Sequence, residues 1–463
     1  MCYFSLRSLL YTSRLSILYA ITLRTNPHHS LVLEGEIIMK IDIAYGTEGL
    51  TIDVPDSNIA HILRMFNNPV IKNPYEEIRK KIQSPIGSPP LSEFARGKTT
   101  ACIVISDITR PVPNAAILPP ILEILEASGI RREATTILIG TGIHRPNEGD
   151  ELITLLGPDI PKHYKIINHM GRDLDSHEYF GETPIYKAPI YVDREYLKAD
   201  LRIVTGLIEP HFMAGFSGGG KGIMPGICAL ETVKVLHGPD AMAHEKAVEG
   251  IIEGNPVHEE ILHVARSARV DFIINVTLNE RREITGIFAG DLEDAHDEGI
   301  NFMRTQCLST VDEPVDAVIT TAAGFPLDLT FYQTIKGMTA AAGILSQDGV
   351  VIIASKCREG IGSPEFTRLI LDTNSIDDFL AAIRKPGYFV LDQWQFQKFC
   401  TVIKNHEVWL YSDGIDRKTQ AELFVTPLES IEKGIFGVIE RFGKNARIAV
   451  IPEGPYVLAQ RSR

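Results

Sequence analysis

LRIVTGLIEPHFMAGFSGGGKGIMPG, residues 201–226, decides how the chain is to be read. Its first part, LRIVTG (201–206), is a short apolar, β-branched run of the kind buried in a parallel sheet. The remainder is loop. Three consecutive glycines, Gly218, Gly219 and Gly220, carry a high entropic cost and belong where the backbone turns tightly or a ligand comes close. GFSGGGKG (215–222) comes near the Gly-x4-Gly-Lys pattern of a phosphate-binding loop. The hydroxyl residue that would hold Mg²⁺ is replaced by Gly222, and about ten residues separate loop from strand where a phosphate loop follows at once. Lys221 can therefore be a point charge for phosphate or a covalent attachment site, since lysine is readily activated as a nucleophile.

Working outward, ACIVIS (101–106) and TTILIG (135–140) repeat the strand pattern. NAAILPPILEILEASG (114–129) and NEGDELITLLG (147–157) read as helices, the second with Asn147 as its expected N-cap. A second alternation begins near residue 314. VDAVITTAAG, GVVIIASKC, EVWLYSD and ARIAVIPEG read as strands, and YQTIKGMTAAAGIL and DQWQFQKFCTVIK as helices. AGDLEDAHDEGINFMRTQCLSTVDEP, between them, reads as an acidic helix leading into a linker. The expected fold class is α/β: two α/β domains with mostly parallel sheets, residues 39–308 and 309–463, and an active-site cleft between them. Ligands in such sheets sit at the carboxyl ends of strands.

Residues 1–38 differ from the rest. MCYFSLRSLLYTSRLSILYAITLRTNPHH is basic and free of acids, but Arg7, Arg14 and Arg24 interrupt the apolar part of what loosely resembles a targeting peptide. MKIDIAYGTEGLTIDVPD, from Met39, alternates as a first strand and hairpin do. Glu34-Gly35 can be encoded through GAGG, which resembles a ribosome-binding site just ahead of the Met39 codon. The extension is therefore expected to be a mis-called start, or else disordered, and Met39 the start of the folded chain.

A net charge of −13 without a basic block excludes nucleic acid as an expected partner. Six scattered cysteines, with no CxxC, suit free thiols in a cytoplasmic protein. No uninterrupted apolar run reaches the length of a membrane span.

Chemistry-bearing residues cluster in the expected strand-end loops. In SDITRP (106–111), Asp107 and Arg110 can face a ligand, and a guanidinium fork pairs well with a carboxylate; a local Asp–Arg turn is the plain alternative. In GTGIHRP (140–146), two glycines allow close approach and His144 follows them. In ALETVKVLHG (229–238), His237 lies in the last helical turn, closed by Gly238 at the C′ position; it can be a metal ligand or a partner of the helix dipole. Gln333 and Lys336 in FYQTIKGM lie three apart, on one helix face. Other signatures fail. The histidines of HEEILH (258–263) are five apart and cannot share a zinc as HExxH does, and there is no GxSxG or strand-borne GxGxxG.

Taken together these motifs resemble the nickel-dependent lactate racemase family, from Met39 to near the C-terminus. The most specific part is EPHFMAGFSGGGKG followed by LH, with His211, Lys221 and His237 at family-like spacings. Arg110, His144, Gln333, Lys336 and Trp394 in DQWQ also match. The resemblance implies a nickel pincer nucleotide, a pyridinium-3,5-dithiocarboxylate-type mononucleotide, joined covalently to Lys221, with His237 as nickel ligand. Asp107, Gly218, Gly219 and Gly220 would support the cofactor, and cofactor-biosynthesis proteins would be partners. It implies racemisation of a 2-hydroxy acid, lactate first, by transient hydride transfer through a 2-keto acid, with His144 and His211 as paired bases. Arg110, Gln333, Lys336 and Trp394 would hold the substrate. The alternatives are a racemase for a larger 2-hydroxy acid, and a nickel-free phosphate- or nucleotide-binding protein built on the glycine loop.

Overall fold

The computed structural model describes residues 37–66 and 68–462. Most of the 1–38 extension thus lies outside the described residues. The expected hairpin is present: strand Ile38–Ile43 pairs antiparallel with Leu50–Pro55. Its alternation puts Ile41, Ile43, Ile52 and Val54 on one buried face.

Two six-stranded sheets form the centre of the chain. The first runs, edge to edge, Ile284–Gly290, Phe272–Leu278, Leu201–Leu207, Ala101–Ser106, Thr135–Gly140 and Lys165–Asn168. Its pairs are parallel except for the antiparallel edge strand Ile284–Gly290. The second runs Thr426–Pro427, Glu407–Tyr411, Leu345–Ala354, Val315–Thr321, Ile448–Ile451 and Ile59–Ile62, every pair parallel. The α/β class with mostly parallel sheets follows directly from the apolar runs, which are buried on both faces as parallel strands must be.

The segmentation differs from the expectation in two places. Strand Ile59–Ile62 joins the second sheet beside Ile448–Ile451, and the 38–55 hairpin packs on the same sheet through Ile319, Ile352 and Val450. Residues 38–62, grouped by sequence order with 39–308, therefore pack with the later body. Sequence order gave no hint, because a parallel pairing carries no local turn signal. The acidic helix forms as Asp294–Cys307, but the expected linker after it is a strand: Leu308–Val311 pairs in parallel with Leu458–Arg461.

Two capping expectations also change. Helix Asp150–Leu156 starts after Gly149. Asn147 instead accepts from the Ile108 amide (3.2 Å) and donates to Glu151 (3.0 Å), tying two strand-end loops together. Gly238 has φ −70°, so it does not close helix Leu230–Leu236 in the left-handed form and instead precedes the next helix, Pro239–Ala243.

The two bodies share a continuous apolar interface. Ile208, Phe216 and Phe288 of the first pack in one cluster with Phe331, Ile335 and Met338 of the second. That burial fixes how helix Phe331–Ala342 faces the strand ends of the first sheet. Cys102, Cys228, Cys307, Cys357 and Cys400 are all buried free thiols. Among the described residues no helix is long and apolar enough to cross a membrane.

Candidate active site

A cavity of about 150 Å³ opens at the carboxyl ends of the first sheet, where the second body closes over it. Strand ends contribute Asp107, Arg110 and His144; the loop after strand Leu201–Leu207 contributes His211, Gly218 and Lys221. His237 enters from the end of helix Leu230–Leu236. Gln333 and Lys336 come from helix Phe331–Ala342, and Trp394 from helix Gln393–Ile403. Residues as far apart in the chain as Asp107 and Trp394 thus line one space. Gly219 and Gly220 do not line it.

The glycine run has a local cause. Gly218 and Gly219 have φ +82° and +50°, a region that disfavours side chains. A Cβ on Gly219 would stand 2.4 Å from Nδ1 of His296, and one on Gly222 would stand 2.3 Å from Val204. The Gly219 amide donates to Oδ1 of Asn275 at 2.7 Å. The loop is therefore a tightly packed, buried turn, and its glycines are demanded by protein on the side away from the cavity.

That turn sets the state of Lys221. Burial pulls its ammonium pKa down to about 7, with the Arg110 charge adding to the effect and Glu209 opposing it. At neutral pH a large share is the free amine, the nucleophilic form. Lys336 is likewise drawn down to about 7 by burial and by Arg110. The unfolded chain binds a proton at Lys221 that the folded chain lacks between about pH 7 and the ordinary lysine range, so this group makes stability rise with pH across that window. Lys221→Met should accordingly be more stable than the parent chain near pH 7 and show a shallower rise towards pH 10. Urea unfolding of both chains at several pH values checks this; a parent no less stable than the variant at pH 7 would contradict the buried-amine assignment.

The histidines differ in what each presents. His144 Nδ1 lies 2.7 Å from Oδ2 of Asp107, a buried carboxylate. Burial alone would raise the Asp107 pKa, but the His144 hydrogen bond and the Arg110 charge outweigh it and hold the pKa below the ordinary value. An ionised carboxylate can only accept, so His144 Nδ1 donates and its Nε2 is left bare, ready to take a proton. Asp107 also accepts from the Thr109 hydroxyl at 2.6 Å, which fixes its orientation. His211 is the converse. Its Nδ1 faces the amides of Met213 and Ala214 at 3.4 and 3.3 Å, which places the ring proton on Nε2. Burial and then the charges of Lys221, Lys336 and Arg110 push its pKa well below the ordinary value, keeping the ring neutral. His237 donates Nδ1–H to the Val233 carbonyl at 3.1 Å, leaving a bare Nε2; burial lowers its pKa to about 3. Its ring packs at 62° against Trp394, centroids 5.1 Å apart.

Arg110 contacts Thr109 through one guanidinium nitrogen, at 3.3 to 3.4 Å, and makes no ion pair among the described residues. Gln333 Oε1 is buried and unpartnered. Both are matched to a ligand able to accept from one and donate to the other.

Sequence reading missed four lining residues. Glu209, two residues before His211, buries a carboxylate whose Oε2 has no partner, amid the charges of Arg110, Lys336 and Lys221; burial raises its pKa. Tyr332 accepts from Trp394 Nε1 at 3.2 Å, and Gln395 donates to the Tyr332 carbonyl at 2.8 Å. Asp392 adopts φ +67° and accepts from Ser363 at 2.6 Å. All four adjoin residues that the motifs did single out, which was the available signal.

The lactate racemase N-terminal domain pattern matches residues 45–250, and the lactate racemase C-terminal domain pattern matches residues 311–459. A lactate racemase from Thermoanaerobacterium thermosaccharolyticum is 32% identical over 425 residues, covering 91% of this chain and 99% of that protein. The chain belongs to the lactate racemase family. A lactate racemase from Lactiplantibacillus plantarum is 34% identical over 431 residues, covering 91% of this chain and 100% of that protein. The solved lactate racemase apoprotein from T. thermosaccharolyticum superposes with a TM-score of 0.85 over 91% of this chain and 100% of that one. A Thermotoga maritima protein shares the fold at a TM-score of 0.67 and 18% identity. The named relatives are racemases, hence isomerases, and the motif-bearing segments fall within both matched domains.

Proposed function

We propose that this family member racemises a 2-hydroxy acid, lactate being the first candidate, at the cavity between the two sheets. The observation that carries the reading is the meeting in one cavity of an anion clamp, two histidines and a buried lysine amine. The clamp is Arg110, Lys336 and Gln333; it suits the carboxylate and oxygen of a small hydroxy acid.

The residues also fit a nickel pincer nucleotide. Lys221, with a substantial free-amine share at neutral pH, has a form able to bond an acyl carbon, and the bare, oriented Nε2 of His237 would hold the nickel. When bound, that cofactor supplies a reversible hydride acceptor, which avoids removing the very weakly acidic α-proton beside a carboxylate.

The chain's own residues handle the proton. His144, oriented by Asp107, takes the hydroxyl proton of one enantiomer at Nε2. His211 faces the cavity with Nε2–H and serves as hydrogen-bond donor at rest. To act as base for the other enantiomer it moves its ring proton to Nδ1 and gives up two long amide contacts. Trp394 and Phe212 limit water at His237 and His211. The phosphate-loop alternative is less well supported, because Lys221 sits on a crowded 3₁₀ turn where burial weakens its hold on the proton.

Protein co-produced with the cofactor pathway should carry nickel and a mass adduct, and should racemise one or more acids in a panel of chiral 2-hydroxy acids. Loaded protein inactive on the whole panel would refute the reaction; protein with neither nickel nor adduct would refute the cofactor. Arg110→Lys should cost about 1.5–3 kcal/mol in kcat/KM despite the kept charge, because the ammonium replaces a two-pronged donor. Unchanged kinetics would put Arg110 outside the clamp.

A further inference from the structure

A second group of ligating side chains lies outside the cavity. His169, His177 and Asp193 are all buried, and one ligating atom from each lies within 4.8 Å of the others. They come from three places: just past strand Lys165–Asn168, the start of strand His177–Glu182, and the end of strand Pro189–Asp193. The imidazoles meet at 90°, with their Nε2 atoms 2.8 Å apart.

The proton positions make this contact informative. His177 Nδ1 lies 2.8 Å from the Asp173 carbonyl, which can only accept, so Nδ1 carries the proton and Nε2 is bare. The Thr141 hydroxyl spends its hydrogen on the His169 carbonyl at 2.7 Å. Its oxygen therefore meets His169 Nδ1, at 3.5 Å, as an acceptor. A proton on Nδ1 satisfies that contact and leaves the second Nε2 bare as well. Two lone pairs then face each other beside a buried carboxylate, a cluster that calls for a cation. Metal-bound histidines show the same outer arrangement, each donating its other N–H to a carbonyl or similar acceptor.

We propose that His169 Nε2, His177 Nε2 and the Asp193 carboxylate form a structural site for one zinc-like divalent cation. Two imidazoles and a carboxylate suit such an ion, with water as fourth ligand. Two nitrogens on one tetrahedral zinc stand about 3.3 Å apart, so the rings need to spread by about half an ångström on binding. Asp193 Oδ1 also accepts from the Glu195 amide at 2.8 Å, which holds the carboxylate in position. The ion would tie the 177–193 hairpin to the end of the first sheet, beneath the Thr141 loop that carries His144.

The test uses full-length chain produced without the nickel cofactor, stripped with chelator and titrated with zinc. The parent should retain one zinc per chain after desalting and melt at a higher temperature with zinc than without. His237→Ala, which removes the ligand in the main cavity, should behave like the parent. His177→Ala should lose the retained zinc. Asp193→Asn, which keeps the amide-accepting oxygen, should bind it at least about tenfold more weakly. A folded parent that retains no zinc would overturn the proposal and leave a pair bridged by a proton. So would zinc lost in His237→Ala but kept in a folded Asp193→Asn.

Discussion

Lys221→Ala, produced together with the cofactor pathway, should show no covalent adduct by intact-protein mass spectrometry. Racemisation should fall by about 10³-fold or more, the scale expected when a group on which the whole site depends is removed. The physical basis is the state of the amine: burial lowers its pKa to about 7 and leaves it nucleophilic, on a turn too crowded to move aside. The substitution removes only methylenes and the amine from a backbone held by Gly218, Asn275 and Val204, so the apo fold should be retained. Circular dichroism and melting of the variant check that point. An adduct that survives the substitution would assign the tether to another residue, and full activity without an adduct would separate catalysis from covalent attachment.

His144→Ala and His211→Ala should each reduce racemisation in both directions by about 10²–10⁴-fold, the usual contribution of a positioned acid–base group. The proposed cycle passes through both histidines, so neither direction would escape. Their separate roles should show in a single turnover. His144→Ala should still convert one enantiomer to the 2-keto acid and be slow with the other, and His211→Ala should show the opposite preference. Near-normal racemisation in either variant would remove that histidine from proton transfer. Equal slowing of both enantiomers in both variants would instead argue for a shared positioning role.

The difference between the two histidines could not be read from the motifs. His144 and His211 are the same residue type in two glycine-bearing loops. One meets a carboxylate 37 positions away, and the other meets the amides of its own turn. Which nitrogen carries the proton depends on those partners alone. The sharply lowered lysine pKa values arise in the same way, because desolvation and the Arg110 charge act only once the second body closes the cavity.

What the sequence determined by itself was local. Apolar runs such as ACIVIS, TTILIG and VDAVITT specify buried parallel strands, because period and residue type are properties of a few adjacent positions. The strand-end motifs single out residues that the fold brings together, since Arg110, His144, His211, Lys221, His237, Gln333, Lys336 and Trp394 all line the cavity. What only the tertiary structure decided was non-local. Strand Ile59–Ile62 joins a sheet whose other members begin past residue 300, because parallel pairing has no turn to announce it. Glu209, Tyr332 and Asp392 become site residues because the apolar interface between the two bodies turns them toward the same space. The role of Gly219 and Gly220 was also settled there: His296 and Ala265 crowd them from behind, a contact between residues roughly 45 to 75 positions apart that no reading of GFSGGGKG alone contains.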